Sequence, residues 1–199
     1  MLPARLPAPD DNAGALVAGL PALLPSVGDR ARGQGAWLCV LRLADGTENE
    51  TKIVGAFAIG IDHPKRELNV GTLLRSAFNF GAALVFTVGR RYEPQHGDTV
   101  KAWRQLPVMH FQTWDDYRAS APRGWVPVGV EIGREAVDLR TYWHPPCAVY
   151  ILGAEDGGLT NEAAALCRDL VVIPSTLCLN VAVAGAVVMY DRLTKKARK

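Results

Sequence analysis

Short apolar runs alternate with amphipathic runs over most of this chain. Residues 56–62 and 82–88 have the length of buried strands, and between them apolar residues recur at helical spacing. Asn69 is a suitable N-cap for that helix, and Gly81 suits the position just beyond its end. The same pattern predicts strands over residues 108–111, 126–130, 147–152 and 170–173, a weak helix after the second of these, and helices over about 114–121, 160–167 and 179–195.

The alternation of strands and helices indicates an α/β fold in which a mostly parallel sheet is flanked by helices. The continuous apolar run at residues 147–152 fits a central strand that is buried on both faces. The helix over residues 179–195 is apolar almost all round before it turns basic. We therefore expect it to be buried against the sheet or against another subunit.

The first 50 residues do not continue this pattern. Residues 1–34 are rich in Pro, Ala and Gly and lack a clean period, which is typical of an arm or a loosely packed appendage. Two short strands around a turn at Asp45-Gly46 predict a hairpin that leads into the main domain. We therefore expect residues 1–50 to form an arm or small hairpin appendage and residues 51–199 to form one α/β domain.

Composition narrows the classes of protein that fit. The chain has 199 residues, a formal net charge of +2 and a sequence pI near 8.4, which allows an RNA partner without arguing for one. No apolar run reaches about 18 residues, the length that a membrane span needs. The apolar patch at residues 16–24 is interrupted by Gly19 and Pro21. We therefore expect neither a membrane span nor a signal peptide.

The cysteines show neither a C-x-x-C pair nor the dense spacing of a disulfide scaffold. We therefore expect reduced thiols and a cytoplasmic location. A zinc site that used His144 would have a spacing that fits no structural zinc site, so we expect no metal. The cysteines are Cys39, Cys147, Cys167 and Cys178.

The first two turns of the first predicted helix hold Asn69, Gly71 and Arg75. Free backbone N–H groups and the positive end of the helix dipole attract anions there. The guanidinium fork of Arg75 matches the oxygens of a phosphate. The alternative is that Asn69 only caps the helix and that Arg75 is a solvated surface residue, and the residues leave both interpretations open.

Three of the predicted strands are followed by segments whose glycine and polar residues could contact a ligand, at residues 69–75, 153–158 and 173–180. Open α/β sheets bind ligands at the carboxyl ends of their strands, so these segments predict one ligand site. Gly153 would let the backbone approach a ligand closely, and Glu155 would supply an acceptor. Taken alone, the glycine-rich segment is also typical of a plain turn, just as Asn180 is a normal cap for the last helix.

The connection over residues 89–104 combines basic and aromatic side chains with Pro and Gly. Lysine and arginine bind phosphates, and aromatic rings stack on unpaired bases, so this stretch has the composition of an RNA contact surface. An ordinary solvated loop is the alternative. The residues concerned are Arg90, Arg91, Tyr92, His96, Lys101, Trp103 and Arg104.

Three segments together resemble the motifs of one known family. Residues 69–81 are similar to the N-x-G-x-x-x-R-x-A-x-x-F-G motif of the SpoU-TrmH family of SPOUT RNA methyltransferases. Residues 151–159 and 173–184 resemble its second and third motifs, in the same order, and the match spans roughly residues 54–195. The resemblance implies a SPOUT-type fold with a deep trefoil knot near the carboxyl terminus, an exception to the general rule against knots. It also implies a homodimer packed through the first and last helices.

The cofactor and the reaction also follow from the resemblance. S-adenosylmethionine would be held in a bent shape by the knotted loops, and its methyl group would pass to a ribose 2′-oxygen of tRNA or rRNA. The short chain lacks an obvious second RNA-binding domain, which favours tRNA over rRNA. By motif position, the cofactor site would be lined by Gly153, Ile173, Cys178 and Leu179, and the less distinctive loop after the fourth core strand, at Val130 and Glu131, would close it.

The catalytic positions of the family correspond here to Arg75, Asn69, Glu155 and Asn180. The resemblance makes Arg75 the base for the ribose hydroxyl, but an arginine has a pKa above about 12 and hardly ever releases its proton. We therefore expect Arg75 to bind a phosphate beside the hydroxyl and Asn69 to position Arg75 or the ribose. Glu155 and Asn180 would hold the loops and the neighbouring subunit in register. Cys178 stands where many relatives have a serine, in a shorter loop.

Rival functions differ in how well the residues exclude them. A dinucleotide-binding enzyme would show G-x-G-x-x-G after its first strand, where this chain reads Gly60-Ile61-Asp62-His63-Pro64. That class does not fit. The residues leave open a non-catalytic RNA-binding protein of the same fold and a SPOUT enzyme that methylates a base.

Overall fold

The computed structural model describes residues 41–42, 48–49, 55–93, 101–121, 123–133 and 135–196. Its strands are β1 (Leu41–Arg42), β2 (Glu48–Asn49), β3 (Phe57–Asp62), β4 (Leu84–Val88), β5 (Val108–Phe111), β6 (Val126–Val130), β7 (Val137–Asp138), β8 (Ala148–Leu152) and β9 (Asp169–Val172). Its helices are α1 (Glu67–Asn79), α2 (Trp114–Ser120), α3 (Asn161–Leu166) and α4 (Val181–Lys196), with a turn of 3-10 helix at Ala102–Arg104.

Seven of these strands form one sheet in the order β5-β4-β3-β8-β6-β9-β7, and every neighbouring pair is parallel. The other two, β1 and β2, pair antiparallel with each other. The predicted α/β fold with a parallel sheet flanked by helices is therefore confirmed. Residues 1–40 and the turn at Asp45-Gly46 lie outside the described residues, so the appendage and the boundary at residue 50 stay predictions.

Helices cover both faces of the sheet. Successive side chains of a strand point to opposite faces, so neighbouring residues of one strand contact different helices. Ile59 and Ile61 of β3 belong to a buried cluster with apolar residues of α1 and α4. Ala58 of the same strand belongs to a second cluster, which includes Trp114 and Tyr117 of α2. Since both faces are covered, all six residues of β3 are buried, as its continuous apolar sequence requires.

The first helix starts earlier than its sequence predicts. α1 begins at Glu67, and Arg66 occupies the N-cap position without a side-chain cap. The prediction that Asn69 caps this helix is therefore wrong, because its side chain is bonded to residues of two other segments. At the other end of the helix, Gly81 has a φ of 73° just beyond the last turn, as predicted.

The sheet buries only one side of the last helix, α4. Met189 is fully buried against the sheet, whereas Val183, Tyr190 and Leu193 are 47%, 62% and 39% exposed. A strip of apolar side chains on α4 is therefore uncovered in the single chain. Neither α4 nor any other helix in the described part of the chain is long and apolar enough to cross a membrane.

The weak helix expected after β6 does not form in the described part of residues 131–146. The chain instead places β7 beside β9 at the edge of the sheet. Just beyond β7, the N–H of Leu139 donates to the carbonyl oxygen of Val172 at 2.9 Å. Strand pairing at the sheet edge thus prevails over a weak helical pattern.

A buried polar cluster lies at the end of the sheet where β8 begins. Arg192 of α4 is fully buried and donates to the carbonyl oxygen of Pro145 at 2.7 Å. His144 lies beside it, with Nδ1 2.6 Å from the hydroxyl oxygen of Tyr150 and Nε2 2.8 Å from Oδ2 of Asp191. Burial lowers the pKa of His144, and the carboxylate of Asp191 opposes this shift only in part.

We expect this cluster to make the free energy of unfolding depend on pH. The histidine of the unfolded chain has a pKa near about 6.5, whereas His144 in the folded protein has a lower one. Between the two values the unfolded state binds more protons, so stability is retained above about pH 6.5 and falls as the pH drops below it. Urea unfolding at about pH 7.5 and about pH 5.5 measures the difference.

The control is His144→Gln, which keeps a donor and an acceptor but does not titrate. Because the variant lacks the ionisable ring, it should lose less stability between the two pH values than the wild type. Equal losses in the two proteins would contradict a role for His144 in the pH dependence.

Candidate active site

A cleft of about 230 Å³ opens at the carboxyl ends of β6, β8 and β9. Leu152, the last residue of β8, and Ala184 of α4 form parts of its wall. All six residues predicted to hold a cofactor line this one cleft, although their role in binding stays a prediction. They are Val130, Glu131, Gly153, Ile173, Cys178 and Leu179.

The loop after β8 folds back on itself directly beside the cleft. Ala154 and Gly158 exchange two backbone hydrogen bonds, at 3.0 Å and 3.2 Å. A Cβ atom on Gly153 would lie only 2.5 Å from the backbone nitrogen of Leu159, a distance that real side chains do not show. Gly153 is therefore required by the close approach of the two arms of this loop.

The carboxylate of Glu131 joins the loop after β6 to the loop after β8. Its Oε2 accepts a hydrogen bond from the N–H of Leu159 at 2.6 Å, and its Oε1 accepts one from the N–H of Ile132 at 2.8 Å. Two walls of the cleft are thus held together by one side chain. Sequence reasoning placed Glu131 at the cofactor but did not foresee this contact.

The three motif segments meet at one polar contact beside the cleft, which we call the Asn69 junction and which consists of Asn69, Glu155 and Asn180. Nδ2 of Asn69 donates to Oε1 of Glu155 at 2.6 Å, and Oδ1 of Asn69 accepts from Nδ2 of Asn180 at 3.0 Å. Asn69 is buried, so water does not compete for these bonds. The junction links α1, the loop after β8 and the start of α4.

Asn180 caps α4, as one interpretation predicts, and its role in a ligand site stays a prediction. Its side-chain oxygen accepts a hydrogen bond from the N–H of Ala182 at 2.9 Å and so caps the first turn of α4. Its amide nitrogen donates to Asn69 in the same arrangement. One amide group therefore starts the last helix and fixes it to the first.

Glu155 also accepts hydrogen bonds from the backbone. The N–H of Lys65 donates to it at 3.1 Å and the N–H of Arg66 at 3.3 Å. Burial alone would raise the pKa of Glu155, but the hydrogen bonds from Asn69 and from the backbone outweigh burial and hold the pKa below its usual value. Glu155 is therefore an ionised acceptor at neutral pH and is not suited to act as a proton donor.

Further contacts hold the segment after β3 in place. Nζ of Lys65 is paired with the carboxylate of Asp156, at the rim of the cleft. Arg90 donates to the carbonyl oxygen of Lys65 and places its Nε 3.3 Å from Oε1 of Glu67. The segment after β3 therefore lies fixed between the loop after β8 and the residues that follow β4.

Arg75 lies on the exposed side of α1 and is not among the residues that line the cleft. Within the described ranges, its guanidinium makes no hydrogen bond or ion pair with another side chain. The structure therefore does not bring Arg75 into the cleft of its own chain, and its catalytic and RNA-binding roles stay predictions.

The basic connection after β4 is described only in part. Lys101 and Arg104 are exposed, and the guanidinium carbon of Arg104 lies 4.9 Å from the ring centre of Trp103. Tyr92 is 8% exposed, so its ring is not available to stack on a base, contrary to the prediction. Residues 94–100 lie outside the described residues, and an RNA contact surface in this connection stays a prediction.

Sequence reasoning missed a second polar centre at Asp62, the last residue of β3. Its side chain is fully buried. Oδ1 accepts from Nε1 of Trp114 at 3.1 Å, and Oδ2 accepts from the N–H of Thr160 at 2.8 Å. Asp62 thus joins β3 to α2 and to the start of α3. The signal was a carboxylate at the end of an otherwise apolar strand, where only a paired one is tolerated.

The cysteines do not form a reactive or metal-binding centre in the described residues. Cys178 is an exposed free thiol on the loop before α4. Burial raises the pKa of Cys167 to about 12, so this thiol is protonated at neutral pH and a poor nucleophile. No three His, Cys, Asp or Glu side chains in the described ranges come together as a metal site. Cys39 lies outside these ranges.

Solved structures share this fold. The SpoU methyltransferase AviRb from Streptomyces viridochromogenes, in complex with AdoMet, is 24% identical with a TM-score of 0.63, over 72% of this chain and 62% of that one. An AdoMet-bound rRNA methyltransferase from Sinorhizobium meliloti is 26% identical with a TM-score of 0.62, over 71% and 57%. A TrmH/SpoU tRNA modifying enzyme from A. aeolicus is 20% identical with a TM-score of 0.63, over 71% and 77%.

This chain spans less than two thirds of the length of the first two of these proteins. No curated protein matches it by sequence.

Fold and site together define an α/β protein with a ligand cleft at the carboxyl ends of a parallel sheet. The profile of the SpoU rRNA Methylase family matches residues 56–190, which is more than half of the chain. The chain belongs to the SpoU rRNA methylase family.

Proposed function

We propose that this protein transfers a methyl group from S-adenosylmethionine to a ribose 2′-hydroxyl of tRNA or rRNA, with tRNA favoured. The Asn69 junction carries the proposal, because it joins the three motif segments beside a single cleft. Membership of the SpoU family supports the reaction. Two relatives of the same fold are solved with AdoMet, and the relatives include an rRNA methyltransferase and a tRNA modifying enzyme.

The cleft suits a cationic ligand that carries an apolar ring. Leu152, Ile173 and Leu179 supply apolar walls, and Glu131 and Glu155 supply carboxylates to the same cleft. A sulfonium is positively charged and an adenine is a flat ring, so S-adenosylmethionine fits this lining. When bound, it supplies the methyl group already activated as a sulfonium.

Arg75 is the residue that we propose to bind a phosphate of the substrate RNA. Arg75 is exposed, so its guanidinium is available for a phosphate. Because an arginine hardly ever releases its own proton, Arg75 orients the ribose hydroxyl and does not take its proton. Asn69 lies on the same helix and, through Glu155, fixes the position of Arg75 relative to the cleft.

Incubation with total small RNA and methyl-labelled S-adenosylmethionine tests the proposal. We expect label in the RNA, and digestion to nucleosides should place the label on a ribose. Label on a base would contradict the ribose assignment and point to a base-methylating enzyme. If calorimetry gave no heat with S-adenosylmethionine and no label entered the RNA, the protein would be a non-catalytic RNA-binding protein of this fold.

Two variants separate substrate binding from cofactor binding in the same assay. Arg75→Ala should abolish methylation and leave the affinity for S-adenosylmethionine within a few-fold, because Arg75 does not line the cleft. Gly153→Ala should weaken cofactor binding instead, because the new methyl group collides with the backbone at Leu159. Unchanged turnover in Arg75→Ala would refute the role of Arg75.

We also propose a homodimer that packs through α1 and α4. Leu68 of α1 is 72% exposed. The uncovered apolar strip on α4 consists of Val183, Tyr190 and Leu193. The ring of Phe80 lies 6.5 Å from the ring of Tyr190, so the apolar surface crosses from one helix to the other. Uncovered apolar patches of this kind mark interfaces. Light scattering should give twice the 21.5 kDa mass of the chain, and a monomer would contradict the dimer.

Two further expectations accompany the proposal. The first is a deep trefoil knot, supported by the fact that the loop before α4 and the loop after β8 line the same cleft. The chain path through residues 153–181 in an experimental structure tests it. The second is a cytoplasmic location, which rests on the cysteine pattern and is tested by cell fractionation.

A further inference from the structure

His63, directly after β3, has features of a binding residue that the proposed reaction does not use. Its side chain is 53% exposed, and its Nδ1 lies 2.6 Å from Oδ1 of the buried Asp62. Its backbone φ is 48°, in the left-handed region that residues other than glycine rarely adopt. Among the non-glycine residues that the structure describes, only His63 and Lys101 have a positive φ.

Asp62 fixes which nitrogen of the His63 ring carries the proton. The carboxylate also accepts hydrogen bonds from Nε1 of Trp114 and from the N–H of Thr160, and both of these groups can only donate. An ionised carboxylate that is held in this way accepts a third bond from Nδ1–H of His63. The neutral ring therefore presents Nε2 as an acceptor, and Nε2 has no hydrogen-bond partner among residues 55–93, 101–121, 123–133 and 135–196.

The ring of His63 is also held from its other side, by the backbone at Gly89. A Cβ atom on Gly89 would lie 2.5 Å from Nε2 of His63, so any larger residue at this position would push the ring away. Gly89 has a φ of 81°, which favours glycine in its own right. His63 is therefore kept in one orientation although half of its side chain is exposed.

The surroundings of His63 contain basic residues paired with carboxylates and adjoin the cleft. Arg90 donates to the carbonyl oxygen of Lys65, and Lys65 is paired with Asp156 at the rim of the cleft. Arg91 is exposed. Burial is the main cause that lowers the pKa of His110, and the positive charge of Arg91 is the second. His63 thus contacts Gly89, which directly precedes two arginines predicted to bind RNA, and lies two residues before Lys65, which is paired at the rim of the cleft.

We propose that Nε2 of His63 accepts a hydrogen bond from the 2′-hydroxyl of a nucleotide next to the methylated one. The inference rests on the proposed function, since it takes RNA as the substrate. Phosphate oxygens are acceptors and cannot donate to Nε2, whereas the ribose 2′-hydroxyl is a donor present in RNA and absent from DNA. His63 thereby makes the protein prefer RNA to DNA of the same sequence.

The variant His63→Asn tests this contact. Asparagine tolerates the left-handed backbone and keeps an N–H that can reach Asp62, but it has no atom at the position of Nε2. Fluorescence anisotropy would compare a stem-loop RNA with a DNA stem-loop of the same sequence at about pH 8. The variant should bind the RNA roughly three- to tenfold more weakly, the loss of one neutral hydrogen bond, and bind the DNA as before.

The control is His144→Gln, which removes a histidine at the opposite end of the sheet and should leave the affinity for RNA unchanged. Should His63→Asn fail to fold in a thermal melt, single 2′-deoxy substitutions across the RNA loop would be measured with the wild type. The contact requires at least one position at which the 2′-deoxy substitution weakens binding. If no position showed a weaker affinity, the proposed contact would be overturned.

The outcomes distinguish this inference from the proposed function. Unchanged RNA affinity in His63→Asn overturns the contact and leaves the RNA methyltransferase standing. An equal loss for RNA and DNA would show that the contact does not involve the 2′-hydroxyl and would also overturn it. If the wild type bound neither the stem-loop RNA nor bulk tRNA, the proposal that RNA is the substrate would be overturned. The proposed contact of His63 would be overturned with it.

Discussion

One buried carboxamide, that of Asn69, holds the candidate active site together. It donates to Glu155 and accepts from Asn180, so each end of the amide has the partner that its chemistry needs. An aspartate would set a second negative charge against Glu155, and a leucine would remove one hydrogen bond from Glu155 and one from Asn180. Because the three residues belong to α1, the loop after β8 and the start of α4, the shape of the cleft depends on this amide.

The parallel sheet makes the junction possible. Parallel strands deliver the residues that follow them to one edge, so segments far apart in sequence end side by side. The fully buried Asp62 also joins separate segments at this edge. It lies at the end of β3, next to β8, and is hydrogen-bonded to Trp114, Thr160 and His63. Two polar centres in an apolar framework therefore fix the loops of the cleft and the surface beside it, and each has its hydrogen bonds satisfied.

Sequence predicted the fold well because strand and helix periods are local. It also placed six of the residues that line the cleft. Four of them follow from three ordered motifs, which are specific where any one would be weak, and two follow from the loop at Val130 and Glu131. It failed where a side chain serves a distant partner: Asn69 looks like a cap, yet its partners lie 86 and 111 residues away. Asp62 and His63 were missed because their role follows from contacts with α2 and α3. An apolar helix does not reveal which of its sides meets the sheet, so the sequence left open whether the sheet or a second subunit covers α4.

The most direct test of the central claim is the affinity for S-adenosylmethionine, measured by calorimetry on Asn69→Ala, Asn180→Ala and the double variant. Neither side chain lines the cleft, so any effect must come through the junction. Each single variant should weaken cofactor binding, and the double variant should cost little more than the worse single one, because both changes break one connected unit. Wild-type affinity in both single variants, or losses that simply add, would contradict the claim that the junction forms the site.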